Sequence, residues 1–125
     1  MKDEIEVRDM ELHADSRGWV VNALEHLPAG SAPSRFHAIS IEPGCARGRH
    51  SHPGRDEHLI VLSGAMEVVN LRTGARTSLS GRAPRLVIIA PGVPHAFENR
   101  GDETAVAICF SAMVTDPSAE DTVRV

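Results

Sequence analysis

The sequence has no tyrosine, one tryptophan and three phenylalanines, which leaves 3% aromatic residues. A protein that holds nucleic-acid bases by stacking needs more rings than these. Cysteine is scarce as well, at two residues, Cys45 and Cys109. That is too few for a disulfide scaffold, and a chain of 125 residues can bury a core without covalent staples. The apolar runs, such as Leu86–Ile89, fall far short of the ~20 residues that cross a bilayer, so no membrane partner is expected. The N-terminal MKDEIEVRDMEL is charged throughout and lacks the hydrophobic stretch of a secretory signal. Reduced thiols and a cytoplasmic location are therefore expected. Positive charge is not in excess. Thirteen Lys and Arg face 17 Asp and Glu, for a net charge of −4 and a pI near 5.9. Without a basic stripe, nucleic acid is not expected as a partner.

Helical periodicity is missing too. What is present is a series of short alternating or apolar segments separated by turn residues, the pattern of an all-β barrel or sandwich. Strands are expected at 19–24, 36–41, 65–71, 76–79, 86–89, 95–99 and 104–110. Asp15–Gly18, Pro28–Pro33, Arg72–Ala75 and Arg100–Glu103 read as turns or loops between them. A single domain is expected, with a core barrel over about 34–111, N-terminal strands or an arm over 1–33, and a tail over 112–125. Residues 3–12 mix charge with Ile5, Val7, Met10 and Leu12. They read as an edge strand or as an arm pairing with a second copy, which would make a homodimer.

The chemistry concentrates in GCARGRHSHPGRDEHLIVLSG, residues 44–64. On a strand His50 and His52 project to one face, whereas on a helix i and i+2 diverge. Pro53-Gly54 reads as a turn, and Glu57 opens the return strand facing the imidazoles. A further histidine, His95, follows its own Pro91-Gly92 turn. Neutral imidazole is the commonest ligand for transition metals. His50, His52, Glu57 and His95 are therefore the candidate ligands of one divalent ion, Mn, Fe, Co, Ni, Zn or Cu. By parity Arg47 and Arg49 face away from the histidine pair and His58 faces away from Glu57. Arg47 lies at the strand mouth, within range of an anionic ligand. His37 shares a face with Ile39 and Ile41, and Phe97 shares one with His95, which makes His37, Arg47 and Phe97 candidate pocket residues. The apolar lining is expected from Phe36 or Ile39, Leu59, Val61, Ile88 and Phe97.

Gly44-x5-His50-x-His52-x4-Glu57-x6-Gly64 resembles the first signature of the cupin superfamily at every fixed position, and Pro91-Gly92-x2-His95-x3-Asn99 resembles the second. Ala90 and Pro84 depart from it, where the family often has proline and glycine. The resemblance implies a double-stranded β-helix, the jelly-roll barrel, with the four candidate ligands meeting inside it. It also implies a small-molecule ligand and, commonly, a dimer built through N-terminal strands.

A net positive metal site favours an oxyanion, so a metal-dependent enzyme on a small oxygen-rich substrate is expected, a dioxygenase, decarboxylase or isomerase acting by Lewis-acid or dioxygen chemistry. A second expectation is a non-catalytic small-molecule sensor. A third comes from a narrower resemblance. Asp15-x-Arg17-Gly18, Glu25 and Arg47-Gly48-x-His50-x-His52 look like the sugar-nucleotide 3,5-epimerase and 3,4-ketoisomerase branch of the cupins. That resemblance implies a general base at His50 working without a metal. The branch uses a tyrosine as general acid and generally lacks a full ligand set, and this chain differs in both respects.

Overall fold

In the computed structural model, which describes residues 4–125, the chain forms twelve strands. They are β1 Ile5–Asp9, β2 His13–Asp15, β3 Gly18–Val20, β4 Ser34–Ile41, β5 Ala46–Ser51 and β6 Glu57–Ser63. After these come β7 Ala65–Asn70, β8 Arg76–Ser80, β9 Arg85–Ile89, β10 His95–Glu98, β11 Ala105–Ser111 and β12 Val123–Arg124. Among the described residues there is no α-helix, and hence no helix long and apolar enough to cross a membrane.

Two antiparallel five-stranded sheets make the jelly roll, in the orders β1-β9-β6-β11-β4 and β12-β5-β10-β7-β8, and β2-β3 is a separate ribbon. The core fills the space between the sheets. Alternation in each strand sends Leu59 and Val61, Val87 and Ile89, and Ala105, Ala107 and Cys109 inward to meet Met66, Val68 and Phe97. The opposite face of β9-β6-β11 carries a second, smaller cluster of Ile60, Leu86 and Phe110, against which Met10, Ala23 and Leu27 pack. This sheet is therefore buried on both faces, so its strands read as continuous apolar runs.

Several elements differ from the sequence expectation. Residue 3 lies outside the described part, and Ile5–Asp9 pairs with β9 of its own chain, Ile5 opposite Ile89. The edge-strand reading of this segment is therefore the one seen, with β1 at the end of the sheet beside β9. The strand expected over 19–24 stops at Val20; residues 23–26 turn and cover the outer cluster. Ile88 faces that outer cluster, and Phe36 lies on Phe110 with ring centroids 5.0 Å apart, so neither lines the interior.

Candidate functional site

His50 ends the inward face of β5, Glu57 opens β6 and His95 opens β10, while His52 follows β5 directly. His50 and His95 are register partners across β5 and β10. The imidazole centroids of His50, His52 and His95 lie 4.6–5.5 Å apart. One donor atom from each of His50, His52, Glu57 and His95 falls within 4.8 Å of the others. His52, Glu57 and His95 are buried and His50 is half-buried.

Backbone carbonyls settle the ring orientations. A carbonyl oxygen only accepts, so His95 Nδ1–H donates to Val93 O at 2.9 Å, and the lone pair sits on Nε2. His52 Nδ1 faces the carbonyl oxygen of Asp121 at 2.9 Å and Nη2 of Arg55 at 3.0 Å, and can serve one of them at a time. Donating to Asp121 again leaves a lone pair on Nε2. The Nε2 atoms of His50, His52 and His95 are buried and make no hydrogen bond, and that of His52 abuts Glu57 Oε2. Buried nitrogens with no partner are uncommon in native proteins. Imidazoles braced by backbone carbonyls and turned toward a shared carboxylate are the donor set that a divalent transition metal takes.

Electrostatics favour neutral rings at His50 and His95. Burial, and then the proximity of His52, lower the pKa of His50. Burial pushes His95 down to about 4 despite its bond to Val93 and the nearby Glu57. For Glu57 burial acts upward, but His52, His95 and Arg55 outweigh it and the net shift is downward. A consequence for stability follows. His95 stays neutral in the fold down to about pH 4, whereas an unfolded imidazole takes a proton near ~6.5. Between these values the unfolded chain binds more protons, so the stability of metal-free protein is expected to drop as pH is lowered across that window, from about 6.5 to about 4. The loss from His95 amounts to about 3 kcal/mol once both states are protonated, and there is none above it. Urea titrations at several pH values check this; a flat profile through the window would place His95 in solvent.

Next to this group a cavity of about 200 Å³ is lined by His37, Ile39, Arg47, Gly48, His50, Glu57, Phe97 and Cys109. Arg47 thus lies on the cavity side, contrary to the parity expectation. The reason is a bulge. His95 pairs with His50, but Ala96 pairs with Gly48, which leaves Arg49 as the extra residue. Gly48 has φ +93° and Arg49 φ +55°, a left-handed pair that glycine permits. The extra residue shifts the alternation by one, so Arg47 faces the same way as His50. Its Nε donates to Ser40 O at 2.8 Å, and the terminal nitrogens remain as donors.

Other residues at the site were not singled out from the sequence. Arg55 is buried, donating to Asp121 Oδ1 at 2.8 Å and to Ser111 Oγ at 2.8 Å. Its hydrogen bond holds the Asp121 carboxyl far below the usual range. The 112–125 tail thereby folds back beside His52, and β12 pairs with β5 at Ser51 and His50. His58 faces outward as expected, but into a buried chain. Its Nε2 donates to Asp56 Oδ2 at 3.0 Å, and its Nδ1 meets His26 Nε2 at 3.0 Å. Sequence offered one signal for this chain: if Glu57 points inward, Asp56 and His58 on either side point outward together.

With this geometry established, residues 37–111 match the cupin domain, and the chain belongs to that family. Over its full length it is 26% identical to the spore coat polysaccharide biosynthesis protein SpsL of Bacillus subtilis (strain 168), covering 89% of that protein. Its fold is similar to the 3,4-ketoisomerase QdtA from Thermoanaerobacterium thermosaccharolyticum solved with TDP-4-keto-6-deoxyglucose. The TM-score is 0.74 at 18% identity, over 100% of this chain and 90% of that one. A similar match is dTDP-6-deoxy-D-glucose-3,5-epimerase RmlC from Legionella pneumophila Philadelphia 1, with a TM-score of 0.72 and 20% identity over 99% of this chain and 73% of that one.

Proposed function

We propose that this protein is a sugar-nucleotide isomerase or epimerase that moves a proton next to the carbonyl of a keto sugar, with His50 as the base. The observation that carries this reading is the position of His50. It lines a cavity together with Arg47 and Phe97, and its imidazole is biased toward the neutral form. QdtA and RmlC, solved with TDP- and dTDP-linked keto sugars, support the choice of substrate class, and a role of SpsL in polysaccharide biosynthesis agrees with it.

In this mechanism neutral His50 takes a proton from the carbon beside the carbonyl. Negative charge develops on the carbonyl oxygen, and the terminal N–H groups of Arg47 stabilise it where the cavity excludes water. In the isomerase case the imidazolium then delivers the proton to the former carbonyl carbon, while the hydroxyl proton of the deprotonated carbon passes to the former carbonyl oxygen held by Arg47, so the carbonyl moves by one carbon; one side chain serves both carbon-centred steps without a tyrosine. Incubation with TDP-4-keto-6-deoxyglucose in deuterium oxide tests this. Deuterium at a carbon flanking the carbonyl, or a product with the carbonyl shifted or a flanking centre inverted, is expected; substrate recovered both unlabelled and unchanged would reject the proposal.

A second reading rests on a different observation, the three unpartnered Nε2 atoms around Glu57. His50, His52, Glu57 and His95 would together hold a divalent transition metal, which would supply Lewis-acid polarisation of a substrate oxygen. Here His52 and His95 keep their lone pairs turned inward through the carbonyls of Asp121 and Val93. The lone pair of His50 cannot both take a proton and bind a cation, so the two readings separate. Elemental analysis distinguishes them. On the metal reading wild type carries about one ion per chain and His95→Ala loses it, with affinity falling by about 10-fold or more. Equal metal content in the two proteins would exclude the tetrad as a metal site.

A further inference from the structure

The interior face of β4, β11 and β6 carries a second set of donors. Cys109 on β11 pairs with His37 on β4 and with Leu59 on β6. Glu57 is two residues from Leu59 on the same face of β6, so the register places His37, Cys109 and Glu57 around one point. Donor atoms from the three lie within 4.8 Å of one another, and all three residues line the 200 Å³ cavity.

Two of the donors present a lone pair or a charge, while burial and its hydrogen bond to Glu57 push the Cys109 thiol up, so its proton stays until a cation displaces it. His37 Nδ1–H donates to Arg35 O at 2.8 Å, which leaves the lone pair on Nε2. The Glu57 side chain is 4% exposed, and its Oε2 serves His52 and His95, so Oε1 is the oxygen left for a second group. Cys109 is 1% exposed. An inert core cysteine is ordinarily surrounded by apolar atoms. This one faces an imidazole and a carboxylate across an open cavity.

We infer that His37, Glu57 and Cys109 form a second cation site, selective for thiophilic ions such as zinc or cadmium and joined to the first donor set through Glu57. A sulfur, nitrogen and oxygen set suits these soft or borderline ions, whose bonds to such donors run ~2.0–2.3 Å. Small side-chain movements would close donors lying within 4.8 Å onto an ion. On binding, the sulfur–cation bond replaces the S–H bond and the proton leaves to solvent. An ion held there would add positive charge to the cavity beside His50. The site does not depend on the isomerase reading.

Cadmium titration of the full chain, followed by the ultraviolet thiolate-to-cadmium charge-transfer band, tests the site. Wild type and Cys45→Ser should both develop the band, because Cys45 lies outside the cavity lining. Cys109→Ser should lose it, and His37→Ala should require a higher cadmium concentration to reach it. His95→Ala should keep the band while losing any ion held by the first donor set, which separates this site from the tetrad. A band lost with Cys45→Ser and kept with Cys109→Ser would overturn the inference, as would no band in wild type. Far-ultraviolet circular dichroism of each variant confirms that the loss is local.

Discussion

His50→Asn is expected to lower turnover of TDP-4-keto-6-deoxyglucose by about 10²–10⁴-fold, the range that a positioned general base contributes. Asparagine preserves a polar group of similar reach but has no lone pair of imidazole basicity. The side chain is half-buried at the cavity, and stability should change little. The pH profile gives a second check. Burial and neighbouring His52 lower the pKa of His50, so the base form persists in acid. The acid limb of kcat/KM in wild type should then lie below the ordinary imidazole value of ~6.5. If His50 acted as a metal ligand instead, the variant's loss would track its metal content and excess metal would restore part of the rate. A His50→Asn protein within about threefold of wild type would remove His50 from the chemistry.

Phe110→Ala should have the largest effect on stability, about 3–5 kcal/mol, as for other fully buried aromatic residues. Phe110 is 0% exposed and sits with Ile60 and Leu86 on the outer face of the β9-β6-β11 sheet. Phe36 stacks on it at 5.0 Å, and so does His58 at 5.0 Å, with His26 beyond. Removing the ring opens a void under the 22–27 segment and leaves the His26–His58–Asp56 chain without its packing surface. Water entering there would compete for the hydrogen bonds of both histidines. Thermal unfolding should show a fall of roughly 10–20 °C, and amides of Ala23–Leu27 should lose protection first. A fall of only a degree or two would mean that the outer cluster is closed by something other than Phe110.

The sequence carried the two clearest parts of this molecule for local reasons. Strand alternation and turn residues are short-range, so β4, β6, β7, β9, β10 and β11 could be placed from composition alone. His50 and His52 are two apart, and each signature residue lies close to its own turn, so the tetrad could be named without a fold. Arg47 was named as a pocket candidate from its place at the strand mouth, but parity put it on the other face, because parity counting presumes an unbroken pleat and the Gly48–Arg49 bulge adds a residue. The glycine before Arg49 was the available clue. Asp121 could not be connected with His52 from the sequence, since 69 residues separate them and only the closed barrel joins them. Arg55 carried no mark in the sequence that set it apart from the other arginines. Its burial depends on Asp121 and Ser111 arriving from other strands. The N-terminal strand was legible as a strand, but its partner was not, because β9 offers its edge without any mark in the local sequence.

A crystal structure of the protein with TDP-4-keto-6-deoxyglucose tests the central claim most directly. The account predicts the sugar ring in the cavity between Arg47 and Phe97, with the carbon beside its carbonyl against the His50 imidazole. A sugar seated outside that cavity, or a cation occupying the His50 lone pair with the sugar bound, would contradict it.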